Sequence, residues 1–417
     1  MENAVKDWRG RSYLPGPVPA DRVRMFRLAL ASMAVISPLQ YGYAALHTRQ
    51  AGGLMPLAVW IAVQAAGALP ALHLVRRRRL GVRPCLAAGA ALTGLGLATA
   101  GLTSGPSPAA LAGYAVLGGL GAGLVYGVCG EVVSSWYPER PAARVGLITG
   151  AFGYGAVPLL LWAGLFPQAT GAAFLVTAAI AAAVLATAAR HLRLPPPLWW
   201  PQDVDPRSHA LDAARLRTAP EPARQFGLAQ ALRTRTLPAL AVMLVCAGAV
   251  SLLDVIVVAA TGAWAAVALL VALNGAGRAV AVRASELYGR RRVLSAVFCA
   301  LAAGQVLLAV AAQTVHERPG GTFPLWLGAI AAGLGGGAFY PLLAGLVREL
   351  FGAERATEIH AVVYSAKAVA GVAAAGLAYI ALTAPGAALL AAAALAALPA
   401  PAIPRLRIPG LPATIPA

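Results

Sequence analysis

The feature that most constrains this chain is the alternation of long apolar runs with short clusters of arginine. A helix of roughly 20 apolar residues is long enough to cross a bilayer core, and runs of that kind recur along the chain with the charge bunched between them. Of the 417 residues, 59% are hydrophobic and only 12% charged, against roughly 25% charged in a soluble globular protein. Backbone passing through lipid must satisfy its hydrogen bonds within the segment, so such runs are read as helices. The expected fold is an all-α membrane protein, with the lipid bilayer as its principal partner.

Twelve runs can be counted. Six begin near Met25, Leu54, Cys85, Ala109, Val145 and Gly171, and six more near Leu237, Gly262, Val293, Leu325, Ile359 and Gly386. Between the two sets, a stretch rich in Pro, Arg and Asp is too polar to insert. The chain therefore divides into an N-terminal tail (1–24), a six-helix bundle (25–189), a linker (190–236), a second six-helix bundle (237–404) and a C-terminal tail (405–417). The N-terminal tail is expected to be loose and polar. The first run is long enough to span and is followed by others, so it does not read as a cleavable signal peptide.

Loop charge sets the orientation, because Lys and Arg are retained on the cytoplasmic side. When loops are numbered alternately, all but four of the 33 basic residues fall on one side. The exceptions are Arg49 and Arg318 in opposite loops, and Arg278 and Lys367 inside apolar runs. One helix more or fewer would scramble this alternation, so twelve spans with both termini cytoplasmic follow. Topology also accounts for the net charge of +18 without nucleic acid, since no basic face interleaved with aromatics appears. The preference for Arg over Lys and the abundance of Ala point to a bacterial inner membrane.

An internal repeat supports two related halves. Gly119-Leu-Gly-Ala-Gly-Leu-Val-Tyr126 in the fourth run recurs as Gly333-Leu-Gly-Gly-Gly-Ala-Phe-Tyr340 in the tenth, and the same separation maps Arg76 onto Arg290. Glu139-Arg140 and Glu354-Arg355 follow the two copies. Parallel six-helix repeats with small residues at their contacts are the arrangement of transporters that rock about a midplane site.

Arg278 and Lys367 are the residues that call for compensation, since a base at a helix centre costs roughly 2.5 to 3.5 kcal/mol on insertion scales. The only other lysine is Lys6. One guanidinium fork and one ammonium facing a central cavity suit carboxylate oxygens, although snorkelling to the interface is the structural alternative. Asp254 is read as a partner for one of the cations or as an outer-interface residue, with proton carriage as the functional alternative, and Glu131 as a partner of loop arginines. Gln40, Gln64 and Gln305, with Tyr41, Tyr43, Trp60, Tyr126, Tyr340 and Tyr364, are candidates to line the cavity. No Gly-Lys-Ser/Thr phosphate loop is present, so ATP drive is not expected, and no His, Cys and carboxylate cluster points to a metal or to enzyme chemistry. Cys85, Cys129, Cys246 and Cys299 read as packing residues. No cofactor is expected, and a monomer would suffice.

Several stretches carry a family resemblance. Gly118 to Pro158 contains the glycine motif, then Trp136-Tyr-Pro-Glu-Arg140, then Gly146-Leu-Ile-Thr-Gly-Ala-Phe-Gly-Tyr-Gly-Ala156. With Ser37-Pro-Leu-Gln-Tyr41, Pro195-Pro-Pro-Leu-Trp-Trp-Pro201, Ala231-Leu-Arg-Thr234, Asn274-Gly-Ala-Gly-Arg278 and Tyr364-Ser-Ala-Lys367, it resembles the oxalate/formate antiporter family of the major facilitator superfamily over nearly the whole chain. The resemblance implies that Arg278 and Lys367 bind substrate carboxylates and that Gln40, Gln64, Tyr126 and Tyr364 line the cavity. Glycines replace the family's tenth-span aromatics around Gly333 to Gly337, which implies a larger or differently shaped pocket. Related proton-coupled monocarboxylate carriers have an Asp where this chain has Asn274. The second loop lacks the superfamily's Asp before Arg76, and the eighth keeps Glu286 ahead of Gly289-Arg290, so gating ion pairs are expected to differ between halves. The expected function is exchange of small carboxylate anions by alternating access. An exporter of drug-like or secondary metabolites and a non-transporting receptor are the alternatives. In intact cells, cysteines introduced at Arg207 and Arg405 should be labelled by a membrane-impermeant maleimide only after permeabilisation; labelling without it would invert the topology.

Overall fold

The structure, a computed structural model, describes residues 4–7, 10–48, 51–103, 105–212, 222, 224–314 and 322–410. Arg49, Arg318, residues 213–221 of the linker and residues 411–417 of the C-terminal tail lie outside the described residues.

Among the described residues, ten helices have the length and hydropathy to cross a membrane. We number the spans in chain order: span 2 is Leu54–Arg76, span 3 Val82–Leu102, span 4 Ala110–Trp136, span 5 Pro141–Leu165, span 6 Pro167–His191, span 7 Thr236–Ala260, span 8 Trp264–Tyr288, span 9 Arg290–Gln313, span 10 Phe323–Phe351 and span 11 Ala356–Ala381. Two shorter apolar elements complete the set of twelve. Span 1 is broken into Arg22–Val35, a 3₁₀ turn Ser37–Leu39 and Tyr41–Leu46, and span 12 is Pro385–Ala397.

The break in span 1 has a local cause. Pro38 lacks an N–H and clashes with the preceding turn, so helical bonding is interrupted, and the Leu39 carbonyl instead accepts a hydrogen bond from Tyr114 Oη at 2.8 Å. Span 11 is interrupted at Ala366, between Ala356–Ser365 and Lys367–Ala381. Gln40 and Lys367 thus both sit at helix interruptions near mid-membrane.

Two halves with the same internal packing follow from the pairings. Within the first, span 2 packs on span 4, span 3 on spans 4 and 6, and span 1 on span 5; adding six to each number gives the main contacts of the second, 8 on 10, 9 on 10 and 12, and 7 on 11. Between halves, span 5 meets span 8, span 2 meets span 11 and span 1 meets span 7, a set that maps onto itself when the halves are exchanged. This is a twelve-span fold of two pseudo-symmetric six-helix bundles.

Glycines allow these contacts to be close, as apolar side chains gain little from one another in lipid and packing must come from backbone approach. At the seam between halves, a Cβ on Gly153 would sit 2.5 Å from Gly275 N, and one on Gly275 would sit 2.5 Å from the Gly150 carbonyl oxygen. Within the second half, a Cβ on Gly337 would collide with the Asn274 carbonyl oxygen, and one on Gly336 would lie 2.7 Å from Ser251 Oγ. The tenth-span glycines are therefore filled by spans 7 and 8. They do not open the larger pocket expected from the missing aromatics, and Phe339 and Tyr340 follow directly in the same helix with ring centroids 4.1 Å apart.

The described part of the N-terminal tail forms paired strands, contrary to the loose segment expected. Strands Val5–Lys6 and Ser12–Gly16 pair antiparallel, and the second pairs in parallel with Trp199–Pro201 of the linker, Leu14 opposite Trp199. Trp199 packs edge-on against Trp136 at 5.0 Å, and Trp136 Nε1 donates to the Arg193 carbonyl at 2.7 Å. Arg22 lies over the Tyr137 ring at 4.0 Å and pairs with Glu139 at 2.6 Å. The Trp136-Tyr-Pro-Glu and Leu-Trp-Trp-Pro motifs thus form one clasp tying tail and linker to the first half, where aromatic faces and a charge-assisted bond offset the ordering of extended chain.

Overpacking a close contact typically costs about 1 to 3 kcal/mol. Gly153→Val should lower the thermal unfolding midpoint of the detergent-solubilised protein. Gly130→Ala, where a Cβ meets no atom within 4 Å, should leave it unchanged; equal effects would contradict the packing described.

Candidate functional site

Lys367 and Arg278 lie at the seam of the halves, 5% and 2% exposed. Both approach one aromatic ring: Lys367 Nζ is 5.8 Å and Arg278 Cζ 6.0 Å from the centroid of Phe152. They therefore flank one ring and are close enough to interact electrostatically. Neither snorkels to an interface.

Lys367 is held by amide oxygens alone. Nζ donates to Gln64 Oε1 at 2.9 Å and to Gln40 Oε1 at 3.0 Å, and Gln64 Nε2 donates to Tyr364 Oη at 3.2 Å. The Trp60 and Tyr364 rings lie 5.9 and 5.7 Å from the ammonium, within range of cation–π attraction. Residues from spans 1, 2 and 11 meet at this nitrogen, two of them from the interrupted helices.

Arg278 is held more loosely. Nη2 donates to Asn274 Oδ1 at 3.4 Å, one turn earlier on span 8, and the Tyr340 ring lies 5.0 Å from Cζ. Its Nε is buried without a hydrogen-bond partner. Asn274 is the hub of a second network, accepting from Tyr41 Oη at 3.1 Å and donating through Nδ2 to Ser251 Oγ at 3.1 Å. Tyr126 stacks on Tyr364 at 5.3 Å, and Tyr340 lies 6.2 Å from the same ring, so three phenols wall one side.

All six residues singled out from the sequence, Arg278, Lys367, Gln40, Gln64, Tyr126 and Tyr364, lie in this region. Three participants were not anticipated: Phe152 as the shared ring, Asn274 as a hub, and Ser251. Phe152 had a readable signal, since it lies between Gly150 and Gly153, whose close approach to Gly275 brings that turn of span 5 against span 8.

The acidic residues differ from expectation. Asp254 neutralises neither cation; it is buried against Gln305 of span 9. Glu131 accepts from Ser135 Oγ at 3.1 Å, with Arg76 acting on it only at longer range. Among the described residues, no carboxylate forms an ion pair with Arg278 or Lys367, and no group of His, Cys, Asp and Glu could hold a metal ion.

Ion pairs instead concentrate at the face carrying tail and linker. Glu358 of span 11 pairs with Arg77, just after span 2, at 3.4 Å and with His73 at 3.5 Å, joining the halves. Arg290 pairs with Glu349 inside the second half, whereas its repeat counterpart Arg76 forms no ion pair with Glu131, an asymmetry of the kind expected.

No known family model matches the chain. A curated relative, "Uncharacterized 38 kDa protein in 23S RNA operon" of Thermoproteus tenax, is 28% identical over 319 residues, covering 75% of this chain and 72% of that protein. Among solved structures, the xylose transporter XylE from E. coli in its inward-open conformation is similar with a TM-score of 0.66 at 14% identity, over 94% of this chain and 98% of that one. A POT family transporter in complex with 5-aminolevulinic acid is similar with a TM-score of 0.63 at 12% identity, over 92% and 96%. The nucleoside transporter NupG gives 0.62 at 14% identity, over 93% and 99%. The fold is that of the major facilitator superfamily.

Truncating one member of a buried charged network typically costs about 2 to 5 kcal/mol. Gln64→Leu removes an acceptor from Lys367 and the partner of Tyr364, so it should lower the thermal unfolding midpoint of the detergent-solubilised protein. Val59→Leu, outside the network, should not.

Proposed function

We propose that this chain is a secondary transporter that carries small carboxylate anions by alternating access and exchanges one anion for another. The observation that carries this reading is a pair of buried cations flanking one ring with no carboxylate among the described residues to neutralise either. Two positive groups in a low-dielectric seam repel each other and are costly to desolvate. An anion between them supplies the missing charge, and the unpartnered Nε of Arg278 supplies a donor for a carboxylate oxygen.

The same electrostatics favours exchange over one-way passage. Closing the halves over an empty site would occlude two uncompensated cations, so the empty carrier reorients slowly and the loaded one readily. Transport then runs on the anion gradients without ATP. Each site residue comes from this one chain, so a monomer is sufficient. The loop charges place both termini and the linker in the cytoplasm of a bacterial cell, with the Glu358 cluster at the cytoplasmic mouth.

Support comes from three directions. The fold is one used by carriers, the motif residues resemble the oxalate/formate antiporter family, and the cations occupy the matching positions. A drug-exporter reading rested on extra space beside span 10, which Ser251 and Asn274 occupy.

Purified protein in proteoliposomes preloaded with unlabelled oxalate, formate or a related small carboxylate should accumulate the labelled anion by counterflow. The corresponding neutral amides should not be carried. Lys367→Gln should reduce the exchange rate at least about 30-fold, equivalent to a loss of about 2 kcal/mol. Full exchange by Lys367→Gln, or flux of the amides at the rate of the acids, would refute the assignment.

A further inference from the structure

Asp254 is a carboxylic acid in the interior of span 7 that the anion site does not use. It is 0% exposed, as is Gln305 of span 9. Gln305 Nε2 donates to Asp254 Oδ1. The second oxygen of the acid, Oδ2, and the carbonyl oxygen of the amide, Oε1, are both buried without a hydrogen-bond partner. Of the titratable groups on elements packed against span 7, Lys367 and His360 of span 11, Arg278 of span 8, Tyr340 of span 10, and Tyr43 and His47 of span 1 neither hydrogen-bond nor ion-pair with this carboxyl. Span 9 presents Gln305, and span 12 carries no titratable residue.

Counting donors decides the protonation state. An ionised carboxylate only accepts, and the Gln305 amide has donors for it but none for its own oxygen. Ionised, the pair would leave an uncompensated charge in the membrane interior, which costs several kcal/mol, and would still leave Oε1 unsatisfied. One proton on Oδ2 removes both defects: the charge disappears, and O–H becomes the donor that the amide oxygen lacks. Nε2–H to Oδ1 and Oδ2–H to Oε1 then close an acid–amide ring of two hydrogen bonds.

We propose that Asp254 and Gln305 form a proton-binding site in which one proton joins spans 7 and 9 within the second half and so holds span 7 in place beside the anion site. A connection to the anion site exists along span 7. Ser251, one turn before Asp254, accepts from Asn274, which in turn accepts from Arg278. Whatever shifts span 7 at Asp254 therefore acts on the support of the substrate arginine. Loss of the proton loosens span 7 against span 9 and disturbs that support, so anion exchange weakens as pH rises through the titration of the acid.

Infrared difference spectroscopy of the full-length protein in lipid tests the site without any substrate. The wild type at neutral pH should show the carbonyl stretch of a protonated carboxylic acid, lost at alkaline pH, retained in Glu131→Gln and absent from Asp254→Asn. Should Asp254→Asn fail to insert, Gln305→Leu serves instead, because loss of the amide partner must move the frequency of the band. Absence of the band from the wild type, its persistence in Asp254→Asn, or an unmoved frequency in Gln305→Leu would overturn the proposal. In proteoliposomes with equal pH on both sides, anion exchange should slow as pH rises in the wild type and run flat in Asp254→Asn; the same slope in both would overturn the coupling. If no carboxylate exchanges at all while the infrared band behaves as expected, the cargo assignment fails and the proton site stands.

Discussion

Two like charges buried in one seam without a counter-charge are the constraint on which the rest of the structure depends. Lys367 and Arg278 both approach the Phe152 ring, and their positive charge is softened only by amide oxygens, phenols and ring faces. Such neutral groups stabilise an ammonium or a guanidinium through dipoles and quadrupoles without cancelling it. The site is therefore polarised and carries positive charge that a resident carboxylate would have cancelled.

Close helix packing makes that site possible. Gly150, Gly153 and Gly275 bring spans 5 and 8 together at the seam, and Gly336 and Gly337 bring span 10 onto Ser251 and Asn274. A seam of small residues holds the halves in register and is crossed by the Tyr41–Asn274 and Lys367–Gln40 hydrogen bonds. At the tail-and-linker face, the halves are joined by the Glu358 cluster. Ion pairs that exposed are each worth roughly 0 to 1 kcal/mol, which suits a contact that must form and break. The clasp of Trp136, Trp199 and Arg22 is different in kind, as it stays within one half and fixes the start of the linker to it.

How much was legible in the chain can be judged residue by residue. The spans were readable because apolar length and loop charge are one-dimensional signals, and Arg278 and Lys367 stood out because a base in an apolar run has few places to go. Asp254 was equally visible, but its partner was not, since Gln305 is 51 residues away on another span. The tail was misjudged for a similar reason: its strand pairs with linker residues far along the chain, and extended polar segments advertise no partner. The glycines near Gly337 were read as space because a missing side chain and a neighbour's close approach look identical in a sequence.

The amino-acid sequence by itself determined the number of membrane crossings, the division into two related halves and the presence of two cations too deep to be incidental, all of which follow from hydrocarbon thickness and the cost of charge within it. Which faces meet was decided by tertiary structure alone. A helix that is apolar all round carries no stripe to say which side is inward, so the convergence on Phe152, the Asn274 hub and the pairing of Asp254 with Gln305 emerge only when packing brings distant spans together.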